Sequence, residues 1–72
     1  MHPNVAHLLR FFRYQHLPPR LQEISRQFHD LAVGLAQTLQ GPELTVCLRK
    51  LLEAKDCAVR AALPDDDGIG PG

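Results

Sequence analysis

Residues 35–52, LAQTLQGPELTVCLRKLL, contain a helix end and a new helix start only a few positions apart. Gly41 suits the end of a helix, and Pro42 suits the first turn of the helix that follows. Glu43 then places a carboxylate in that first turn, where it complements the helix dipole. The stretch therefore predicts two helices joined by a tight turn.

The helix before this turn is predicted to run from Pro19 to Leu39. Its apolar residues recur at spacings of three and four, which places them on one face. Gly34 lies in its interior, where glycine either lowers helix stability slightly or marks a close approach of another backbone. The predicted apolar face consists of Leu21, Ile24, Phe28, Leu31, Leu35 and Leu39.

The helix after the turn is predicted to run from Pro42 to Leu63, and Pro64 ends it. On its outer face, Arg49 with Glu53 and Asp56 with Arg60 stand four residues apart, so we expect exposed ion pairs there. The inner face is predicted to hold Leu44, Leu48, Leu51, Ala58 and Ala62, flanked by Cys47, Leu52 and Val59.

A shorter helix is predicted at the N-terminus, from Pro3 to Tyr14, before the chain reaches Pro18 and Pro19. Apolar side chains cover much of its surface, which suits a helix that lies across other helices or against another subunit. These side chains are Val5, Leu8, Leu9, Phe11 and Phe12.

The sequence thus predicts an all-α fold in which a short N-terminal helix precedes an antiparallel two-helix hairpin. Residues 1–63 form this domain, and residues 64–72, PDDDGIGPG, are expected to be a disordered tail. A chain of this size buries only about 60% of its unfolded surface. Two long helices and one short one leave apolar surface uncovered, so we expect assembly into a helical homo-oligomer.

Charge and hydropathy exclude several classes of protein. The net charge is zero, but residues 1–63 hold eight Lys and Arg against five Asp and Glu, which favours a small anionic ligand. A helix-turn-helix bound to duplex DNA is disfavoured, because Glu43 would meet the phosphates. No apolar run reaches the roughly 18 residues of a membrane span, and no signal-type apolar segment is present. We expect a soluble cytoplasmic protein.

The histidines and cysteines give no catalytic or metal signature. His2 and His7 are five residues apart, which is not a chelating spacing on a helix, and neither cysteine has a histidine within one turn. Cys47 and Cys57 fall on one predicted helix, roughly 15 Å apart, so a disulfide between them is excluded. We expect a reducing compartment, no metal, no cofactor and no enzymatic activity.

The first 22 residues carry the clearest binding chemistry, since they contain three arginines and no acidic residue. Arg10 and Arg13 lie within one helical turn of Tyr14, and Arg20 opens the next helix. An arginine can hold a phosphate through two parallel hydrogen bonds, and a tyrosine ring can stack on a base. This combination predicts a ligand that carries both phosphate and base.

Two sequence patterns occur together in this chain. Phe12-Arg13-Tyr14 precedes the Pro18-Pro19 corner, and residues 41–45, GPELT, lead into residues 48–54, LRKLLEA. Together they resemble the short helical-hairpin domain of phage sponge proteins that block cyclic-nucleotide immune signalling. These are the anti-CBASS and anti-Thoeris sponges, where CBASS is cyclic-oligonucleotide-based antiphage signalling. The resemblance covers residues 10–63.

The resemblance implies a homo-oligomer, often a hexamer, that sequesters its ligand between subunits without cleaving it. The implied ligands are cyclic dinucleotides, cyclic trinucleotides or cyclic ADP-ribose isomers in the host bacterial cytoplasm. Tyr14 corresponds to the family's base-stacking tyrosine, and Thr45 to its hydroxyl residue after the turn. Basic residues on the second hairpin helix correspond to Arg49, Lys50 and Lys55.

The chain departs from the family pattern at two places. Residues 15–17 stand between the tyrosine and the prolines, and residues 55–57, KDC, replace an aromatic residue near the end of the last helix. His16 lies in the first of these segments and joins the candidate set. That set of ligand-binding residues is Arg10, Arg13, Tyr14, His16, Arg20, Thr45, Arg49, Lys50 and Lys55.

A second function stays open beside the sponge hypothesis. The uncovered apolar side chains of the predicted helices also suit a small protein-interaction or scaffold module that binds no nucleotide. The side chains that favour this alternative are Phe11, Phe12, Phe28 and Leu39.

Overall fold

The computed structural model describes residues 1–63, and all the regular secondary structure in that range is helical. Helix α1 spans Pro3–Leu9 and is followed by a 3-10 turn at Arg10–Phe12. Helix α2 spans Pro19–Thr38, and helix α3 spans Pro42–Ala62. The predicted all-α class is confirmed, and α2 and α3 end within one residue of their predicted bounds. The predicted disordered tail, residues 64–72, lies outside the described residues.

The N-terminal helix is shorter than the prediction of Pro3 to Tyr14. The α-helix ends at Leu9, the 3-10 turn ends at Phe12, and Arg13 is extended with φ −61° and ψ 143°. Aromatic residues favour helices less than leucine or alanine, and 3-10 turns are frequent at helix ends. Arg13 and Tyr14 therefore belong to the loop that leads to Pro18.

The core draws on all three helices and on the 3-10 turn. Phe12 and Leu48 are the largest apolar side chains that are fully buried. Half-buried apolar residues such as Phe28 and Leu35 pack around them. The buried apolar residues of this core are Val5, Phe12, Ala32, Leu44 and Leu48.

The buried face of α2 is displaced from its predicted position. Leu31 and Leu39, both predicted to be inward, are 50% and 45% exposed, whereas Ser25 and Ala32 are fully buried. Ser25 and Ala32 are seven residues apart, so they lie on one side of the helix. Ala32 belongs to the same buried cluster as Phe12, so a small side chain at this position is compatible with full burial of that ring.

The inner face of α3 agrees with its prediction. Leu44 and Leu48 are buried, and the other predicted inward residues are half-buried: Leu51, Ala58 and Ala62.

Among residues 1–63, none of the helices is long and apolar enough to cross a membrane.

The three-residue connection between α2 and α3 depends on Gly41. This glycine is the N-cap of α3 with φ 96° and ψ 175°, a backbone conformation open essentially to glycine alone. Gly34 is different, because a Cβ placed there would meet no atom within 4 Å. Within residues 1–63, no other backbone approaches Gly34, and only its helix penalty remains.

Alanine substitutions at the two glycines should change the free energy of unfolding in opposite directions. Gly34→Ala should raise the free energy of unfolding by about 0.5–1 kcal/mol, because alanine favours the helix interior and fits without a clash. Gly41→Ala should lower it by about 1–3 kcal/mol, because alanine resists the backbone angles of the turn. Urea unfolding of both variants at one protein concentration tests the pair. Equal effects at the two positions would contradict the proposed role of the turn.

Ser25 leaves a polar atom in the core without a partner. Its side chain is fully buried, and its Oγ makes no hydrogen bond within residues 1–63. A buried hydroxyl without a partner lowers stability, because it has lost its bonds to water. Thr38 on the same helix is the contrasting case, since its exposed hydroxyl donates to the Gly34 carbonyl over 2.8 Å.

Ser25→Ala should therefore raise the free energy of unfolding by about 1 kcal/mol, through removal of the unpaired hydroxyl and better helix propensity. Thr38→Ala is the control, and it should change stability by less than about 0.5 kcal/mol, as exposed substitutions usually do. Urea unfolding measures both. A loss of stability in Ser25→Ala would show that the hydroxyl makes a bond the structure does not contain.

Candidate functional site

Two concave regions lie along α3, one near each end of the helix. The turn-end cavity has a volume of about 900 Å³ and lies where the α2–α3 turn meets the start of α1. The basic cleft has a volume of about 200 Å³ and lies between the C-terminal half of α3 and the segment from Phe11 to Leu17. Their residues on α3 are separated by at least six positions, which is about 9 Å along the helix.

The turn-end cavity combines apolar walls with one cation and several hydrogen-bonding groups. Thr45 and Arg49 are four residues apart on α3, so they lie on one face and both line the cavity. The apolar part of the wall includes Met1, Leu39 and Val46, all of them exposed. The remaining polar lining residues are His2, Asn4, Gln37 and Gln40.

His2 is held at the edge of this cavity by the start of α1. It is the N-cap residue, and its Nδ1 accepts a hydrogen bond from the Asn4 backbone N–H over 3.0 Å. This bond satisfies one of the free N–H groups at the helix start. The imidazole is therefore fixed through Nδ1, and Nε2 is the ring nitrogen left for a ligand.

The basic cleft collects charged side chains from the N-terminal segment and from α3. Arg13 and His16 come from the loop, and Lys55, Asp56 and Arg60 come from the helix. The remaining wall is apolar and consists of Phe11, Leu17 and Val59.

The loop that carries Arg13 and His16 is held in place by Gln22 of α2. The Gln22 side-chain amide donates to the Leu17 carbonyl over 2.7 Å and to the Gln15 carbonyl over 3.2 Å. Within the loop, the Leu17 N–H donates to the Tyr14 carbonyl over 3.0 Å. These bonds fix the backbone on both sides of His16.

The ion pairs of α3 differ from the predicted ones. Asp56 pairs with the adjacent Lys55, Nζ to Oδ1 3.0 Å, and the predicted Asp56–Arg60 pair does not form. Arg60 instead donates to the Cys57 Sγ over 3.4 Å. The predicted Arg49–Glu53 pair is also absent among residues 1–63. An exposed pair at this spacing contributes only about 0.3–0.5 kcal/mol, too little to hold two long side chains together.

Tyr14 lies apart from both concave regions and packs against α2. Its half-buried ring meets the His29 ring edge-on, with the centroids 5.1 Å apart. The His29 Nδ1 lies 3.1 Å from Oδ1 of Asp30, which holds the imidazole in place. Tyr14 therefore has a packing partner within the chain, and its base-stacking role stays a prediction.

The nine predicted ligand residues do not form one group. Thr45 and Arg49 line the turn-end cavity, whereas Arg13, His16 and Lys55 line the basic cleft. The other residues lie elsewhere: Arg20 donates to the Ala62 carbonyl, Tyr14 packs on His29, and Arg10 and Lys50 are exposed.

Several residues of these regions were missed by sequence reasoning. Arg60 was assigned to an ion pair, and Gln22 carries no local signal except that it follows a proline corner within one turn of helix. His2, Gln37 and Gln40 come from separate elements, so only the packing of α1 against the turn brings them together.

Among residues 1–63, no three His, Cys, Asp or Glu side chains form a group that would hold a metal ion.

No family model, curated protein or solved structure matches this chain. The two concave regions and their side chains are therefore the observations from which function is inferred. The resemblance of residues 10–63 to phage sponges stays an expectation.

Gln22→Ala should loosen the loop, because the Gln15 and Leu17 carbonyls lose their shared donor. We expect the free energy of unfolding to fall by about 1–2 kcal/mol, and amide hydrogen exchange to accelerate across residues 13–18. Gln27→Ala is the matched control, since the Gln27 amide only donates to the Glu23 carbonyl one turn earlier on α2. Unchanged exchange in the loop of Gln22→Ala would show that Gln22 does not hold it.

Proposed function

We propose that this chain is a non-catalytic binding protein that sequesters a cyclic oligonucleotide in the turn-end cavity. The observation that carries the proposal is the joint presence of Arg49 and Thr45 in a cavity of about 900 Å³ with apolar walls. Pockets for small ligands commonly measure about 300–1,000 Å³ and combine apolar walls with a few polar groups. A cyclic dinucleotide or trinucleotide needs this combination of cation, hydroxyl and apolar surface.

The lining offers a separate group for each part of such a ligand. The Arg49 guanidinium suits a phosphate, because its planar fork matches two phosphate oxygens. The Gln37 and Gln40 amides can donate to and accept from the edges of a base. The apolar side chains of Leu39 and Val46 suit the face of a base. These groups bind and orient a ligand, which supports capture without cleavage.

The shape of the cavity supports a second copy of the chain as part of the site. One copy supplies a single arginine to the cavity, whereas a cyclic dinucleotide carries two phosphates. Exposed Leu39, Val46 and Met1 form its outer wall, and contact with a second copy would remove them from water. Two-fold symmetry then presents Arg49 twice. The resemblance implies that six copies assemble, in a bacterial cytoplasm.

The proposed scaffold for this site is an antiparallel hairpin of α2 and α3. Only residues 39–41 connect the two helices, and the helices pack against each other. The Arg20 guanidinium at the start of α2 donates to the Ala62 carbonyl at the end of α3, as an antiparallel pair requires. In such a hairpin the turn positions Thr45 and Arg49 at one end.

A protein-interaction module is the second candidate function, and the exposed apolar side chains favour it. Phe11 and Leu31 are half-exposed and belong to neither the core nor the turn-end cavity. A protein partner that covers them would need no nucleotide.

Isothermal titration with cyclic dinucleotides, cyclic trinucleotides and cyclic ADP-ribose isomers separates the two functions. Arg49→Gln should weaken binding of the preferred ligand about ten- to a hundredfold, because a charge-assisted bond to phosphate is lost. Lys50→Gln is the matched control: it removes the same charge at the adjacent position, which lies outside the cavity. We expect the affinity of Lys50→Gln for the preferred ligand to match that of the unmodified chain.

Ligand released by heat denaturation should be chromatographically intact. Cleaved ligand would make the protein an enzyme, and binding by no member of the panel would favour the protein-interaction module. Equal losses in Arg49→Gln and Lys50→Gln would refute the assigned cavity, because the effect would then come from net charge alone.

A further inference from the structure

We infer that the basic cleft is a second binding site, specific for a doubly charged phosphate group. It is independent of the proposed function, since it uses the C-terminal half of α3 and none of the residues of the turn-end cavity. The ligand class is a phosphate dianion, either free inorganic phosphate or the end group of a small phosphomonoester.

The charges of the cleft leave a cationic surplus of two. Arg13, Lys55 and Arg60 are positive and Asp56 is the single carboxylate of the lining, with His16 left out of the formal charge count. A ligand with two negative charges balances this surplus, whereas the singly charged phosphate of a diester does not. The cleft therefore distinguishes a phosphomonoester from a nucleic-acid backbone by charge.

The arginine donors are available for such a ligand. Among residues 1–63, the Arg60 side chain donates only to the Cys57 sulfur, which is a weak acceptor. The Arg13 side chain makes no hydrogen bond or ion pair within the same range. Each guanidinium has five N–H donors in a fixed fork, so both can bind phosphate oxygens through two bonds.

Lys55 is the partly desolvated cation of the cleft. Its side chain is only 15% exposed, although its partner Asp56 is 47% exposed. Asp56 lies beside Lys55 on the helix and competes with an incoming anion for the ammonium group. A phosphate that enters the cleft thus meets a lysine whose side chain is already largely buried.

The cleft is positioned before any ligand arrives. The backbone around His16 is held by the Gln22 amide, and Arg13 follows the buried Phe12 directly. Little ordering is then required on binding, which favours affinity.

The volume of the cleft sets the size of the group that it accepts. About 200 Å³ is less than the roughly 300 Å³ minimum of pockets for whole small ligands. A volume of this size suits a phosphate group and not a whole ligand. The rest of a larger ligand would lie outside the cleft against the exposed Phe11 ring.

Phosphate binding can be followed by ¹H–¹⁵N NMR of the full chain at fixed low ionic strength. Inorganic phosphate and phenyl phosphate should each give saturable shifts at the Arg13 and Arg60 side-chain Nε–H groups and at the backbone amides of residues 13–17. Dimethyl phosphate, a monoanion, should bind at least about tenfold more weakly, because one charge-assisted contact is lost.

Two substitutions in the cleft and one control outside it test which residues bind phosphate. Arg60→Gln should weaken phosphate binding about ten- to a hundredfold, and Asp56→Asn should strengthen it about two- to fivefold because Lys55 is released from its partner. Arg26→Gln, an exposed arginine of α2 outside the cleft, should leave affinity unchanged. A folding defect cannot produce the gain expected for Asp56→Asn.

The two sources of phosphate are separated by the same titrations. Tighter binding of phenyl phosphate than of inorganic phosphate would assign the cleft to a phosphomonoester, and equal binding would assign it to free phosphate. Three results would overturn the inference. Dimethyl phosphate could bind as tightly as inorganic phosphate, Arg26→Gln could weaken phosphate binding as much as Arg60→Gln, or no saturable shifts could be seen. Arg49→Gln should leave these shifts unchanged, so failure at either site is seen separately.

Discussion

Burial of Phe12 is the interaction on which the rest of the molecule depends. Full burial of such a side chain contributes about 1.5–3 kcal/mol, a large fraction of the stability of so small a chain. Phe12 lies at the end of the 3-10 turn, so its position ties the N-terminal segment to the face formed by Ala32 and Leu48. That contact places α1 beside the α2–α3 turn and the following loop beside the end of α3. Residues of this N-terminal segment line both concave regions.

The sequence was sufficient for the bounds of α2 and α3, and insufficient for the end of α1 and for the side on which α2 packs. Proline and glycine positions predicted α2 and α3 to within one residue, because these residues act through local backbone geometry. The buried side of α2 does not follow its large apolar residues, since Leu31 and Leu39 are exposed whereas Ser25 and Ala32 are buried. Ala32 instead packs in the same buried cluster as Phe12, a residue far away in sequence, and the helical period of α2 carries no information about that contact.

The candidate sites show the same limit of sequence-based prediction, which finds local arrangements but not those made by tertiary packing. Thr45 and Arg49 were predictable as a pair because the helical period alone brings them together. Arg13 and Arg60 were not predictable as a pair, because they line one cleft only when the loop is held by Gln22. The sequence therefore suggested one binding site of nine residues, whereas tertiary packing places five of them in two separate concave regions along α3 and leaves the other four outside both.

The described part of the chain measures 43 × 24 × 16 Å, so it is thin along its shortest axis. Most of its residues are consequently close to a surface, and whatever covers a face adds directly to the folding free energy. A bound species that is present at a hundred times its dissociation constant contributes about 2.7 kcal/mol. The thermal midpoint of such a thin protein is therefore a property of its surroundings as much as of its sequence. In a cell its lifetime against proteolysis would follow the concentration of the molecules it holds, so occupancy itself would regulate its abundance.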